Sequence, residues 1–301
     1  MHRRNILSGF IGASLLSWTA KAFAQVTPQE APLPEVPYAP TPTWQEGVLP
    51  PFISAKPGSK VKAPAPNKTG MRQRRYSGRV DYLDSKRKEI GREFFTVTVQ
   101  PDGIRTLRGM AEMDDFRLLH DVIVTVDSEW RGQDSYVRLM TQENLIGSSW
   151  NYYTDDGAEL EGYSFKEGRV SQRHRTTEHP RGSGAHLLHG DSWGLIGWRQ
   201  RNHGIATGPG FSTSIQSNGG GGVLQNRGRG SSSTNTYLGK EVKETAAGKF
   251  NTEHTRTLFN VGDQMDIWGM GEDAIPCYQE HKWPDAPTKI FELAELEGDY
   301  K

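Results

Sequence analysis

The sequence predicts a mainly all-β protein, an antiparallel β-barrel or curved half-barrel with one short helical or irregular crossover segment. Three observations predict it. From Tyr76 onward apolar residues recur with a period of two, turn residues return at hairpin spacing, and helical spacing is confined to a segment near Leu187 and a short stretch from Ile290 to Leu296. A large antiparallel sheet has to curl or close to hide its edge strands, which turns the strand pattern into a barrel or half-barrel.

The chain opens with an address. Residues 1–24 read as a removed signal peptide: a basic start (His2, Arg3, Arg4), an apolar run from Phe10 to Trp18, and Ala22-Phe23-Ala24 before Gln25. Arg3-Arg4-Asn5-Ile6-Leu7 has the form of a twin-arginine export signal, and Lys21 near the cleavage point fits the same route. The apolar run is too short to remain as a membrane span, so no transmembrane anchor is expected after its removal. The expected location is the periplasm, or outside the cell. That compartment permits disulfides, but Cys277 is the single cysteine, so stability has to come from packing.

Residues 25–70 read as a disordered, proline-rich tether, because eleven of the seventeen prolines lie between Pro28 and Pro66 with no periodic apolar pattern among them. Residues 71–301 then form a single β domain, long enough to bury a sizeable core. Arg72, Arg74 and Arg75 at its start read as a solvated boundary. In the first strand set, Phe95, Val97 and Val99 share one face, as do Val122, Val124 and Val126. Pro101-Asp102-Gly103, Asp155-Asp156-Gly157 and Glu167-Gly168 supply hairpin turns. A second set starts at Tyr237 and continues through Lys249–Phe259 and Asp263–Trp268.

Gly239-Lys240-Glu241-Val242, Ala247-Gly248-Lys249-Phe250 with Thr252, then Trp268 and Pro276 resemble the closing strands of a periplasmic antiparallel-sheet family of largely unknown function, distantly similar in shape to lipoprotein-carrier half-barrels. The resemblance covers about residues 237–283. It implies a concave sheet able to cradle an apolar ligand, and no catalytic residue to carry over.

Composition excludes some functions. Lys plus Arg and Asp plus Glu number 36 each and are interspersed, so there is no electrostatic footprint for nucleic acid. The glycine-rich run Gly219–Gly222 and Arg227–Gly230 lacks the Lys-Ser/Thr and helix that a phosphate loop needs. No Gly-x-Ser-x-Gly elbow is present. Asp114-Asp115 and Asp155-Asp156 read as turn residues rather than paired catalytic carboxylates. Cys277, between Pro276 and Tyr278, reads as a small packed side chain.

The crossover carries the chemistry-bearing side chains. His174, His179, His186, His189 and His203 are five of nine histidines, with Asp191, Trp193 and Trp198 among them. Imidazole exchanges protons near neutral pH and a carboxylate can orient it, so His186, His189 and His203 with Asp191 are the candidate acid–base residues. Trp193, Leu195, Ile196 and Trp198 are the candidate ligand-contacting residues, either as a lid over the concavity or as a plug of core residues. His186 and His189 are three apart, yet no established zinc spacing is present, so neither metal nor cofactor is expected. Two functions fit. One is an exported binder of an apolar or aromatic small molecule; the other is a cofactor-independent lyase, isomerase or hydrolase acting on such a ligand.

Overall fold

The computed structural model describes residues 72–141, 144–165, 168–176, 179, 187–194, 210–213, 224–227, 233–259 and 262–301. The signal peptide and the tether lie outside the described residues, as do His186, His203, Leu195, Ile196 and Trp198.

The first strand set is a meander of eight: β1 (Arg74–Leu83), β2 (Glu89–Val99), β3 (Arg105–Met113), β4 (Leu118–Val126), β5 (Gly132–Thr141), β6 (Leu145–Thr154), β7 (Gly157–Ser164) and β8 (Gly168–Arg175). Then come the short helix α1 (Leu188–Ser192) and a two-stranded ribbon, β9 (Gly210–Thr213) with β10 (Leu224–Arg227). The second set is β11 (Ser233–Thr245), β12 (Gly248–Phe259), β13 (Gln264–Met270), β14 (Ile275–Trp283) and β15 (Ala286–Gly298). β15 pairs with β1, so both sets join in one antiparallel sheet of thirteen strands, ordered β11–β15 and then β1–β8. β8 and β11 are its edges and do not pair, which makes it a half-barrel rather than a closed barrel.

The register shows how alternation builds the inner wall. One cross-strand row runs Tyr76, Val97, Leu107, Val124, Ser135, Asn151 and Leu160 from β1 to β7. All seven are buried. The neighbouring positions point outward, where Ile123, Tyr136 and Trp150 form an exposed row across β4, β5 and β6. The inner wall is mostly apolar, with Glu93, His120, Gln279 and His281 as polar exceptions on β2, β4 and β14, and it carries Ser135, Ser149 and Asn151 on β5 and β6. Leu187, Leu188 and Trp193, flanking and within α1, pack into the apolar part. Gly109 on β3 makes the space: a Cβ there would stand 2.3 Å from Leu187 Cδ1 and 3.1 Å from the Phe94 carbonyl oxygen.

The turns fall at Asp102–Gly103, Asp114–Arg117 and Asp155–Asp156, as their residues predict. Ile290–Leu296 is strand, within β15, rather than helix. Its helix-like spacing has a physical cause. Val80 pairs with Leu293 and Arg79 with Glu295, so Ala294 is the extra residue of a β-bulge. The bulge returns Leu296 to the inner face three positions after Leu293 instead of two, and a period of three is what a helix also shows.

Candidate functional site

A polar network lies inside the apolar part of the wall. Glu93 sits on the inner face of β2, fully buried, between Gly91 and Phe95 in the alternating pattern. Tyr82 Oη donates to its Oε2 at 2.8 Å, Leu188 N–H to the same oxygen at 3.0 Å, and His189 N–H to Oε1 at 3.4 Å. Leu187, the N-cap residue of α1, offers no side-chain cap, so a carboxylate from the sheet satisfies the first free N–H groups of the helix. Burial pushes the Glu93 carboxyl up to about 7, and the three donors pull against that rise.

His189 is the one candidate histidine within the described residues, and it is fully buried. Its Nε2 lies 3.0 Å from Tyr76 Oη, and its ring packs against Phe95 at 4.6 Å and Trp193 at 5.5 Å between centroids. Nδ1 has no partner. Burial lowers this imidazole to about 3, so it stays neutral at physiological pH and does not collect a proton there. Asp191 is half-buried, and the hydrogen-bond partner of the His189 ring among the described residues is Tyr76.

Trp193 is buried and its indole N–H donates to the Asp273 carbonyl oxygen at 3.2 Å, while Ser192 Oγ donates to the carbonyl of Ala274. α1 with Trp193 therefore plugs this part of the hollow. His179 ties the turn before β7 to β5 through Asp155 Oδ1 at 3.1 Å and the Gly132 carbonyl at 2.6 Å. Cys277 is packed in the inner core with its thiol pushed up to about 12 by burial. Among the described residues no group of three or more His, Cys, Asp or Glu side chains is placed to hold a metal ion.

The polar part of the inner wall is a second feature. Asn151 Nδ2 donates to Ser135 Oγ at 3.1 Å and reaches Ser149 Oγ at 3.5 Å, and Tyr153 Oη lies 3.4 Å from Ser135 Oγ. Asn151 Oδ1 is buried without a hydrogen-bond partner among the described residues. On the opposite flank a register row carries Thr255, Ile267, Gln279 and Phe291. There Thr255 Oγ1 and Gln279 Oε1 are likewise buried and without a hydrogen-bond partner among the described residues.

Sequence reasoning that followed the histidines missed Glu93, Asn151 and Gln279. The available signal was the alternation itself: each is polar at a position whose neighbours two residues away point inward.

No family model matches the chain, and no curated protein matches it. Among solved structures it is similar to a β-barrel-like protein with a domain of unknown function, DUF1849, from Brucella abortus. That likeness has 10% identity and a TM-score of 0.45, over 75% of this chain and 97% of that one. It is also similar to a candidate lipoprotein from Parabacteroides distasonis (8% identity, TM-score 0.34, 74% and 94% covered). A third similarity is to a candidate exported protein with YmcC-like fold from Bacteroides fragilis (7% identity, TM-score 0.32, 74% and 95% covered). No helix among the described residues is long and apolar enough to cross a membrane.

Proposed function

We propose that the protein is exported to the periplasm and binds a small molecule inside the half-barrel, one with an apolar or aromatic body and at least one hydrogen-bond donor. The carrying observation is a set of buried acceptors on the inner wall that have no hydrogen-bond partner among the described residues: Asn151 Oδ1, Gln279 Oε1 and Thr255 Oγ1. Leaving one such group unpaired costs about 1–3 kcal/mol, and a ligand that donates to it removes that cost. The apolar body would lie against neighbours such as Leu160, Ala158 and Ile267. Among the described residues the enclosed His189 imidazole is held neutral by burial, which leaves it without the charged form a general acid needs.

The test uses protein secreted by its own host. Native mass spectrometry should find an organic molecule retained, and N-phenyl-1-naphthylamine, a neutral aromatic amine with one N–H, should bind with a rise in fluorescence. Asn151→Leu should weaken that binding about tenfold, the share of one buried hydrogen bond. Protein that arrives empty and leaves the dye unbound would overturn the proposal.

A further inference from the structure

On the outer face of β11–β14 the register brings together side chains that the inner-wall site does not use. Trp268 on β13 faces Tyr278 on β14 and His254 on β12. The indole and phenol meet edge-on, with centroids 5.4 Å apart and planes at 74°. Into that angle comes Lys243 of β11, its Nζ 3.9 Å from the Trp268 ring centroid and 3.8 Å from that of Tyr278. Carboxylates hold the two rings in place. Trp268 Nε1 donates to Glu241, and Tyr278 Oη donates to Glu280 Oε1 at 3.2 Å. His254 stacks on the far side of the indole at 4.0 Å and bridges Glu241 and Asp266.

The hairpin that carries Lys243 is fastened at its tip. Ala246 N–H donates to Glu292 Oε1 at 2.9 Å and Ala247 N–H to the Leu293 carbonyl at 3.1 Å. The lysine is therefore delivered between two aromatic faces that are fixed independently of it. Yet it is a poor match. Its ammonium carries three N–H donors, and among the described residues it meets two π faces rather than a carboxylate partner. A cation without N–H donors loses nothing in such a place, which is the chemistry by which aromatic faces select quaternary ammonium groups.

We propose that Trp268, Tyr278, Glu241 and Glu280 form a binding site for a small quaternary alkylammonium, and that Lys243 is its tethered occupant, which the ligand displaces. Burial lowers the Lys243 amine while Glu280, Glu241, Glu292 and Asp266 act in the other direction, so the surroundings favour a positive charge that needs no hydration. Glu241 also lines an open cleft of about 710 Å³ with Lys240, Val242, Thr252, Glu253 and Glu272, so one wall of the site borders solvent-filled space. This site is separate from the inner wall and stands or falls without it.

Choline and its uncharged carbon isostere 3,3-dimethylbutan-1-ol are the probes. In Lys243→Ala, choline should bind at least about tenfold more tightly than in the unaltered protein, read by calorimetry, and the isostere should not follow. Trp268→Leu added to that variant should abolish the gain. In the unaltered protein, choline should speed reductive methylation of Lys243, followed by mass spectrometry, because displacement exposes the amine; this measurement does not depend on how well the variants fold. Equal choline affinity with and without Lys243, equal uptake of the isostere, or a methylation rate that choline leaves unchanged would each overturn the proposal.

Discussion

At the scale of single residues, burial of ionisable groups decides how stability follows pH. His189 and His281 are both held near 3 by burial, against an ordinary 6.5. Between those values the unfolded chain binds more protons than the fold, so each histidine removes stability as pH falls from about 6.5 toward 3. Glu93 works in the opposite sense. Its carboxyl is raised from 4.5 to about 7, so the fold holds the extra proton, and its contribution is complete below 4.5 and lost as pH rises through 7. From pH 4.5 to 6.5 the two histidines act against Glu93, each of the three groups amounting to about 1.4 kcal/mol per pH unit. In His189→Gln one histidine contribution is gone, so the slope of the urea-unfolding free energy against pH across this window should fall by about 1.4 kcal/mol per pH unit relative to the unaltered protein. A slope equal to that of the unaltered protein would mean that the His189 imidazole titrates normally in the fold. His189 stood out in the sequence because histidines cluster there. Its setting did not, because Tyr76 and Glu93 come from strands about a hundred positions earlier.

At the scale of elements, the strands and turns were legible because each is specified by a local pattern: a period of two, closed by Asp-Gly or Asp-Asp-Gly. β15 was ambiguous for an equally local reason, since the bulge at Ala294 gave a strand the apolar spacing of a helix. α1 was legible as a helical segment near Leu187 but not as a plug, since its five residues are too few to stand alone and its place depends on the sheet. Its docking hinges on β3. Gly109→Val would put branched carbons where Leu187 Cδ1 lies, with the Phe94 carbonyl blocking retreat. The overpacking should cost about 1–3 kcal/mol. The loss should concentrate in α1, so hydrogen exchange at residues 188–193 should accelerate while the β1–β2 ladder keeps its protection. Uniform acceleration of both would show that α1 does not open separately from the sheet.

At the scale of the whole molecule, the half-barrel has to keep its curvature although its edges, β8 and β11, never pair. Local patterns in the sequence predicted a curled sheet but not which strands would meet across it, because the β1–β15 pairing joins segments some two hundred residues apart. One fully buried carboxylate gathers distant parts of that assembly. Asp273, in the turn between β13 and β14, accepts two bonds from Arg74 of β1 at 2.7 and 2.9 Å and one from Lys301 N–H at 2.9 Å. Arg105 of β3 comes to 3.7 Å while its guanidinium lies 4.1 Å over the Trp130 ring. The Asp273 main-chain carbonyl receives the Trp193 indole, so the same residue also secures the plug. Removing the carboxylate leaves Arg105 in a buried site without its counter-charge, a change worth about 3–5 kcal/mol. The network of Arg92 with Glu89, Glu112 and Asp114 on the outer face has more ion pairs but lies in water, where such pairs contribute about 0–1 kcal/mol each. Asp273→Ala should therefore lower the thermal midpoint by roughly 10 °C, at about 2–4 °C per kcal/mol for a domain of this size, and Arg92→Ala by only a few degrees. Calorimetry of the two variants side by side decides the matter: equal shifts would mean that the half-barrel is held by its pairing alone, without the buried clamp.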